Sequence, residues 1–122
     1  MDVDQLQQYC LDKKGTTAEF PFDEHTLVFK VMGKMFALIG LEKWEAGERF
    51  INLKCDPEYA LELRDQFPDD ITGAYHMSKT HWNTIHLNQS MDDAAVMQWI
   101  DHSYDLVIAG MTKKLQAALK AL

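Results

Sequence analysis

Cysteine is scarce in this sequence, and long apolar runs are missing. The two cysteines, Cys10 and Cys55, are far apart and form no CxxC pair, which excludes a disulfide framework and cysteine-based zinc motifs. We expect two reduced thiols that are not joined to each other, as in a cytosolic protein. No segment approaches the roughly 18 to 20 apolar residues that cross a bilayer, and the acidic N-terminus lacks the features of a signal peptide. We therefore expect a cytoplasmic protein with no membrane partner.

Motifs for catalysis and for cofactors are also missing. The sequence contains no Walker loop and no dinucleotide-binding fingerprint. Ser78 lies three residues before His81, but no nearby acid orients the imidazole as a catalytic triad requires. His81 and His86 have opposite parity on a strand, so they do not face one metal ion, and their segment has no Cys, Asp or Glu to complete a site. We expect a binding module with no cofactor and no metal, and not an enzyme.

Acidic residues are absent from three stretches, although the formal net charge is −7 and the pI is about 5.0. These stretches are residues 25–41, 49–55 and 71–91, and their cations are Lys30, Lys34, Arg49, Lys54 and Lys79. The five cations carry +5, so the remaining residues hold −12. The pattern has two explanations. Strands are generally poor in Asp and Glu, or the strands form a cationic surface on an acidic protein, where an anion would dock.

The order of predicted elements favours one α+β domain over residues 1–122. Residues 2–14 predict a helix capped by Asp2, and Asp56-Pro57 begins a second helix. A third helical region follows Ser90, its predicted cap, and Ser103 is a candidate break within it. The predicted strands cover residues 26–31, 34–39, 49–55, 71–77 and 82–87, whereas 16–25 and 41–48 predict a loop and a turn. The order αβββαββα favours a two-layer fold, with helices packed on an antiparallel sheet.

The first two strands predict a hairpin around Met32-Gly33. A two-residue loop pairs Val31 with Lys34 and Phe29 with Phe36. One face then carries Leu27, Phe29, Val31, Phe36 and Leu38, and the other carries Val28, Lys30, Met35 and Ile39. We expect Phe29, Phe36, Leu53 and Ile85 to be buried together.

Four segments resemble the MmcQ/YjbR family. They are Lys30 to Leu38, Leu53 to Glu58 with Leu63-Arg64, Tyr75 to Thr84, and Ser103 to Val107. The resemblance implies a two-layer fold, which is also similar to that of secretion chaperones. It further implies DNA binding, because the family is described by its likeness to a double-wing DNA-binding fold. Fold likeness alone does not establish a function.

The segment from Tyr75 to Thr84 is the best candidate for a binding site. Lysine and imidazolium groups can hold phosphates, and an aromatic face can stack on a base. The predicted nucleic-acid-binding residues are Lys30, Lys34, Lys54, Tyr75, His76, Lys79, His81, Trp82 and Asn83. The alternative is structural, with Trp82 packed at the sheet edge and each lysine a solvated strand-end residue. We expect a monomer that binds DNA weakly and in a salt-sensitive way, or a protein-interaction module with Trp44 and Trp99 as candidate anchors.

Overall fold

Six antiparallel strands form one sheet at the centre of the molecule. A computed structural model describes residues 1–75, 77–88 and 91–122, and His76, Gln89 and Ser90 lie outside the described residues. The strands are β1 (Thr16–Glu19), β2 (Thr26–Val31), β3 (Lys34–Gly40), β4 (Phe50–Lys54), β5 (Ile71–Gly73) and β6 (Trp82–His86). The helices are α1 (Val3–Leu11), α2 (Leu41–Glu45), α3 (Pro57–Gln66), α4 (Asp93–Ala109) and α5 (Lys113–Lys120). The strand order is β1-β2-β3-β4-β6-β5, which confirms the predicted α+β fold with an antiparallel sheet.

All five helices contribute buried side chains to a core on one face of the sheet. Phe29, Phe36, Leu53 and Ile85 belong to this core and are 0 to 2% exposed, as predicted from their alternation along the strands. The predicted interaction anchors Trp44 and Trp99 are also buried there, so they are not available to a partner. The two cysteines are free and buried, in α1 and just after β4. No helix in the described part of the chain is long and apolar enough to cross a membrane.

Helix α4 crosses the strands without the break predicted at Ser103. The Ser103 hydroxyl donates to the Phe36 carbonyl at 2.6 Å and accepts from the Lys54 amide at 2.9 Å. A serine engaged with two strands leaves the helix intact, and the break between α4 and α5 lies instead between the C-cap Gly110 and the N-cap Thr112. The first turn of α4 is capped by Asp92, whose carboxylate accepts from the Ala94 amide. The predicted cap, Ser90, lies outside the described residues.

The β2–β3 hairpin has the predicted turn but not the predicted register. Met32 and Gly33 form the turn with positive φ values of 50° and 82°, and Val31 pairs with Lys34. Phe29, however, pairs with Ala37 because the register shifts between Phe29 and Lys30. The prediction that Phe29 pairs with Phe36 was therefore wrong. Phe36 is the extra residue, since Lys30 pairs with Met35 and Phe29 with Ala37. Beyond Phe36 the alternation of side chains between the two faces is reversed, so Ile39 enters the core and Leu38 lies on the opposite face.

Two short elements were missed in the sequence. Strand β1 lies within a predicted loop and forms a sheet edge against β2. Three of its four residues are exposed, so they show no alternation of apolar and polar side chains. Helix α2 has only five residues, where a turn was predicted. It buries Trp44, whose indole donates to the Phe50 carbonyl at 2.9 Å.

The sheet face opposite the main core, here called the open face, carries a second small cluster. One row of paired residues crosses it through Thr72, Thr84, Asn52, Leu38 and Val28. The β2–β3 half of the row is apolar, and there Val28 and Leu38 pack with Ala74 and Trp82. The β4–β6–β5 half is polar. The open face therefore has an apolar part near β2 and a polar part near β5.

Candidate nucleic-acid interface

Two hairpin turns and the end of β4 meet at one end of the sheet. The β2–β3 turn lies at Met32-Gly33, and the β5–β6 connection spans residues 74–81. Antiparallel pairing places both beside the C-terminal end of β4, where Lys54 pairs with Trp82. Five of the predicted cationic side chains lie at this end, here called the cationic end: Lys30, Lys34, Lys54, Lys79 and His81. Lys30, Lys34 and Lys54 belong to three different strands, and Lys79 and His81 to the β5–β6 connection. The sheet topology brings these segments to one end.

The cationic end presents lysines that differ in exposure and pairing. Lys30 pairs with Met35 on the open face, and its ammonium lies 3.3 Å from the Glu19 carboxylate. Lys34 is exposed beside the β2–β3 turn, and Lys54 is half-buried on the open face. Among the ion pairs of residues 1–75, 77–88 and 91–122, none involves Lys34, Lys54 or Lys79. Because Glu19 offsets the charge of Lys30, the other three lysines are the stronger candidates for phosphate contacts.

Trp82 and Asn83 do not present their side chains to a ligand, which corrects their predicted roles. Trp82 is only 9% exposed and packs with Val28 and Leu38, so its ring is not available for stacking. Asn83 points to the helix face and is 1% exposed. Its amide oxygen accepts from Arg64 Nε at 2.8 Å, and its amide nitrogen donates to the Ala60 carbonyl at 3.3 Å. Asn83 therefore joins β6 to α3.

The connection between β5 and β6 exposes three of the predicted residues. Tyr75, Lys79 and His81 are all exposed, while His76 lies outside the described residues. The Lys79 stem covers Gly73, where an added Cβ would lie 3.1 Å from it. Gly73 pairs with Asn83 on the helix face, so the Lys79 stem lies on the α3 side of the hairpin. This position separates Lys79 from Lys54.

Arg64 holds this connection in place, a role that sequence reasoning missed. Its guanidinium donates to the carbonyl oxygens of Lys79 and Trp82 as well as to Asn83. The only signal in the sequence was its place in the family resemblance, which suggested no function. Cys55 lies beside the same connection, and burial raises the pKa of its thiol to about 11. Because the thiolate is the reactive form, this favours a structural role for Cys55 over nucleophilic chemistry.

Comparison with known proteins identifies the family. The YjbR family model matches residues 11–106, which include both hairpins and β4. The chain belongs to the YjbR family. It is 35% identical to the Escherichia coli O157:H7 protein YbdF over 83% of this chain and 80% of that protein. It is 31% identical to Escherichia coli K12 YjbR, with 88% of each chain covered. Both relatives are described as uncharacterized proteins.

Solved structures share the fold of this YjbR domain. The crystal structure of the Deinococcus radiodurans protein DR2400, with the domain DUF419, has a TM-score of 0.88 and 35% identity. That match covers 98% of this chain and 88% of the other. A Pseudomonas syringae crystal structure has a TM-score of 0.72 and 28% identity, covering 87% of this chain and 98% of that one. The predicted MmcQ/YjbR membership is thus confirmed, and the comparisons assign no ligand.

Proposed function

We propose that this YjbR domain is a nucleic-acid-binding module, and not an enzyme, which contacts DNA phosphates through its cationic end. The observation that supports this is that Lys34, Lys54 and the β5–β6 connection with Lys79 and His81 lie at one end of the sheet, in a chain of net charge −7. Local potential decides where an anion docks.

The same geometry limits the strength and the kind of binding. Three lysines that form no ion pair within the described residues supply only a few phosphate contacts. A site of this size has a nonspecific dissociation constant of roughly 10⁻⁴ to 10⁻⁶ M at physiological salt, and the acidic remainder of the chain weakens it further. Because Trp82 and Asn83 are buried, stacking by Trp82 and base recognition by Asn83 are not part of the proposal. Binding should show little dependence on DNA sequence.

A salt titration of charge-matched variants tests the proposal. Fluorescence anisotropy with a labelled DNA duplex should give a log K that falls steeply with log salt, with a slope of about −3 for three lysine contacts. Lys54→Ala/Lys79→Ala should lower the affinity and reduce the slope by about two. Lys113→Ala/Lys114→Ala makes the same charge change on α5, in the helix layer, and should retain the parental slope. Equal affinities for the two double variants would refute the site.

His81 is tested by substitution. It is exposed in the β5–β6 connection, where a ring N–H can donate to a phosphate oxygen. His81→Ala should therefore lower the affinity for the duplex by a few-fold in the same anisotropy assay, since one hydrogen bond contributes about 0.5 to 1.5 kcal/mol. An unchanged affinity would exclude His81 from the interface.

Protein interaction is the second candidate function, and a different surface supports it. Phe20 and Phe22 are 49% and 64% exposed, and they follow β1, whose outer edge has no strand beside it in the described sheet. An exposed edge strand with neighbouring aromatic side chains suits the addition of a partner strand. Such an apolar contact should persist at high salt, whereas DNA binding should weaken.

A further inference from the structure

The outer edge of β1 is open to another strand. Three of its four residues are exposed, and its register with β2 continues without a shift. Lysine, proline and bulges commonly keep an edge strand from pairing with other chains, and Thr16–Glu19 contains neither lysine nor proline. Its one ionised side chain, Glu19, lies 3.3 Å from the Lys30 ammonium. The edge therefore carries little of the usual protection against strand addition.

The backbone groups at this edge belong to alternate residues. At the start of β1 the Met32 amide donates to the Gly15 carbonyl at 3.1 Å. In an antiparallel pair, residues that bond to the partner strand alternate with residues whose backbone groups point away. Counting from Gly15, Thr16 and Ala18 point away from β2. The Thr16 amide donates to the Lys13 carbonyl at 3.2 Å, so the Thr16 carbonyl and both backbone groups of Ala18 remain for a partner strand.

Two copies of β1 match each other in one antiparallel register. When the two Ala18 residues lie opposite each other, they exchange both of their backbone hydrogen bonds. Each Thr16 carbonyl then accepts from the Phe20 amide of the other copy. A shift that brings the two Thr17 residues opposite each other leaves the Ala18 carbonyls without a donor, because the Thr16 amide is already bonded. The symmetric pairing at Ala18 is therefore the favoured one.

The polar side chains of β1 are compatible with this register. Thr17 pairs with Lys30 on the open face, and Glu19 lies on the same face because side chains alternate along a strand. Thr17 of one copy then lies opposite Glu19 of the other, where its hydroxyl can donate to the carboxylate. Like charges do not face each other across the contact, so electrostatic repulsion does not oppose the pairing.

Exposed apolar side chains cover each other at both ends of the contact. Ala18 pairs with Phe29 of the main core, so the alternation continues with Phe20 on the helix side of the sheet. Phe20 of one copy then lies beside the Gly15 turn of the other, where Leu122 Cδ1 is 3.4 Å from a Cβ added at Gly15. Phe20 and Leu122 are 49% and 68% exposed, and a two-fold axis brings them together twice.

We propose that this YjbR domain forms a two-fold dimer in which the β1 edges of two copies pair and join their sheets into one. This rests on protein interaction at β1, the second candidate function, and names a second copy as the partner. The edge matches itself in hydrogen bonds, charge and apolar contact, which a two-fold interface requires. A four-residue strand covers less than the about 800 Å² per partner of a standard interface. The dimer should therefore dissociate to the predicted monomer on dilution.

Sedimentation velocity of the whole chain tests this proposal. In about 0.5 M NaCl, which screens the net charge, the weight-average sedimentation coefficient should rise between about 10 μM and about 1 mM protein. Ala18→Lys places a charge at the centre of the contact and should abolish the rise. Thr72→Lys makes the same charge change on β5, at the opposite edge, and should associate as the parent does. Phe20→Ser should weaken the association about tenfold or more.

Cross-linking tests the register. Residues in a hydrogen-bonded antiparallel pair have Cα atoms about 5.5 Å apart, within the roughly 4.4 to 6.8 Å that a disulfide spans. Mild oxidation of concentrated Ala18→Cys should therefore give a covalent dimer, whereas Thr72→Cys should not. The native Cys10 and Cys55 are buried, so they do not compete. Parental dispersion of the amide signals shows that each variant is folded.

A sedimentation coefficient that stays at the monomer value at about 1 mM would overturn the proposal, and so would association that Ala18→Lys leaves intact. A synthetic peptide of residues 15–22 separates this failure from failure of the β1 edge itself. If the chain stays monomeric but the peptide shifts the Ala18 amide signal, the edge accepts a strand and only the second copy is wrong. If neither associates, protein interaction at β1 fails as well. DNA binding is measured separately, through Lys54 and Lys79.

Discussion

At the scale of single residues, Ser103 closes a gap in the sheet. Strands β3 and β4 are paired through Ala37 with Leu53 and Leu38 with Asn52, and beyond Leu53 the Ser103 hydroxyl bridges the Phe36 carbonyl and the Lys54 amide. Ser103 is 0% exposed, so water does not replace this bridge without opening the core. The hydroxyl of one helix residue thus completes the hydrogen bonding of two strands.

Ser103→Ala should therefore destabilise the protein. Two buried backbone groups lose their partner, which costs about 1 to 3 kcal/mol. Urea unfolding should report this loss with an unchanged m-value. Ser78→Ala, at an exposed position in the β5–β6 connection, is the matched control and should stay within about 0.5 kcal/mol of the parent. A loss at Ser103 no larger than in this control would mean that the bridge contributes nothing.

The contact between buried Asn83 and half-buried Arg64 explains why part of the site was mispredicted. In the sequence, Trp82 and Asn83 stand beside Lys79 and His81 as though all four shared one surface. In the fold, the start of β6 is covered on both faces, because Trp82 packs with Val28 and Leu38 and Asn83 bonds to α3. A polar residue enters the core only because Arg64 and Ala60 satisfy its amide, and a local pattern does not reveal such distant partners.

At the scale of elements, helix α5 packs against the turn that precedes β1. Gly15 has a φ of +74°, and a Cβ added there would lie 2.5 Å from Leu119 Cδ1. Leu119 is buried in the main core. The turn therefore needs glycine for two reasons, the left-handed backbone and the close approach of α5.

Comparison of two glycine variants separates these reasons. Gly47 also has a positive φ, +91°, but an added Cβ would meet nothing within 4 Å. Gly47→Ala should cost about 1 to 2 kcal/mol from the backbone alone, and Gly15→Ala should cost about 1 to 3 kcal/mol more through overpacking. Unfolding free energies of both variants and of Gly15→Ala/Leu119→Ala give the measurement. The excess at Gly15 should shrink when Leu119 is shortened, and an excess that persists would place the strain elsewhere.

Apolar side chains on both faces explain the error in the hairpin register. From Met35 to Ile39 the strand is apolar without interruption, so alternation does not distinguish Leu38 from Ile39 as the core residue. Tertiary packing decides between them, because the second cluster on the open face takes Leu38. Strand register follows from sequence only where one face is polar, as along β4, where Ile51 and Leu53 point inward as predicted.

At the scale of the whole molecule, the fold class and the absence of acidic residues from most of the strands could be predicted from the sequence. The predicted helix starts at Asp2 and Asp56 were confirmed by their capping bonds, because capping is a local interaction. Lys30, Lys34 and Lys54 were also located in strands, but their position at one end together with Lys79 depends on pairing between distant segments. The contact between the Phe50 and His86 rings, whose centroids are 6.3 Å apart, was missed for the same reason, since the two residues lie far apart in the chain.

Alkaline pH should destabilise the whole molecule through its buried thiols. Burial raises the pKa of Cys10 from about 9 to about 12, and that of Cys55 to about 11. Above about pH 9 the unfolded chain loses these protons while the folded protein keeps them, so ionisation lowers the free energy of the unfolded state relative to the folded state. The stability is therefore complete below about pH 9 and falls as the pH rises toward 12. For Cys10 the loss approaches about 1.4 kcal/mol per pH unit.

The pH dependence of Cys10→Ala isolates this effect. The variant is less stable at pH 7 because it leaves a small cavity, but its unfolding free energy should fall less steeply between about pH 9 and 11 than that of the parent. Burial and the bond to Asp101 also raise the pKa of Tyr9, to about 12. Tyr9 is present in both proteins and the charge of Cys10 is the smallest cause of its raised pKa, so most of its contribution cancels in the difference. Urea unfolding at several pH values gives the two slopes, and parallel curves would show that Cys10 does not carry the alkaline sensitivity.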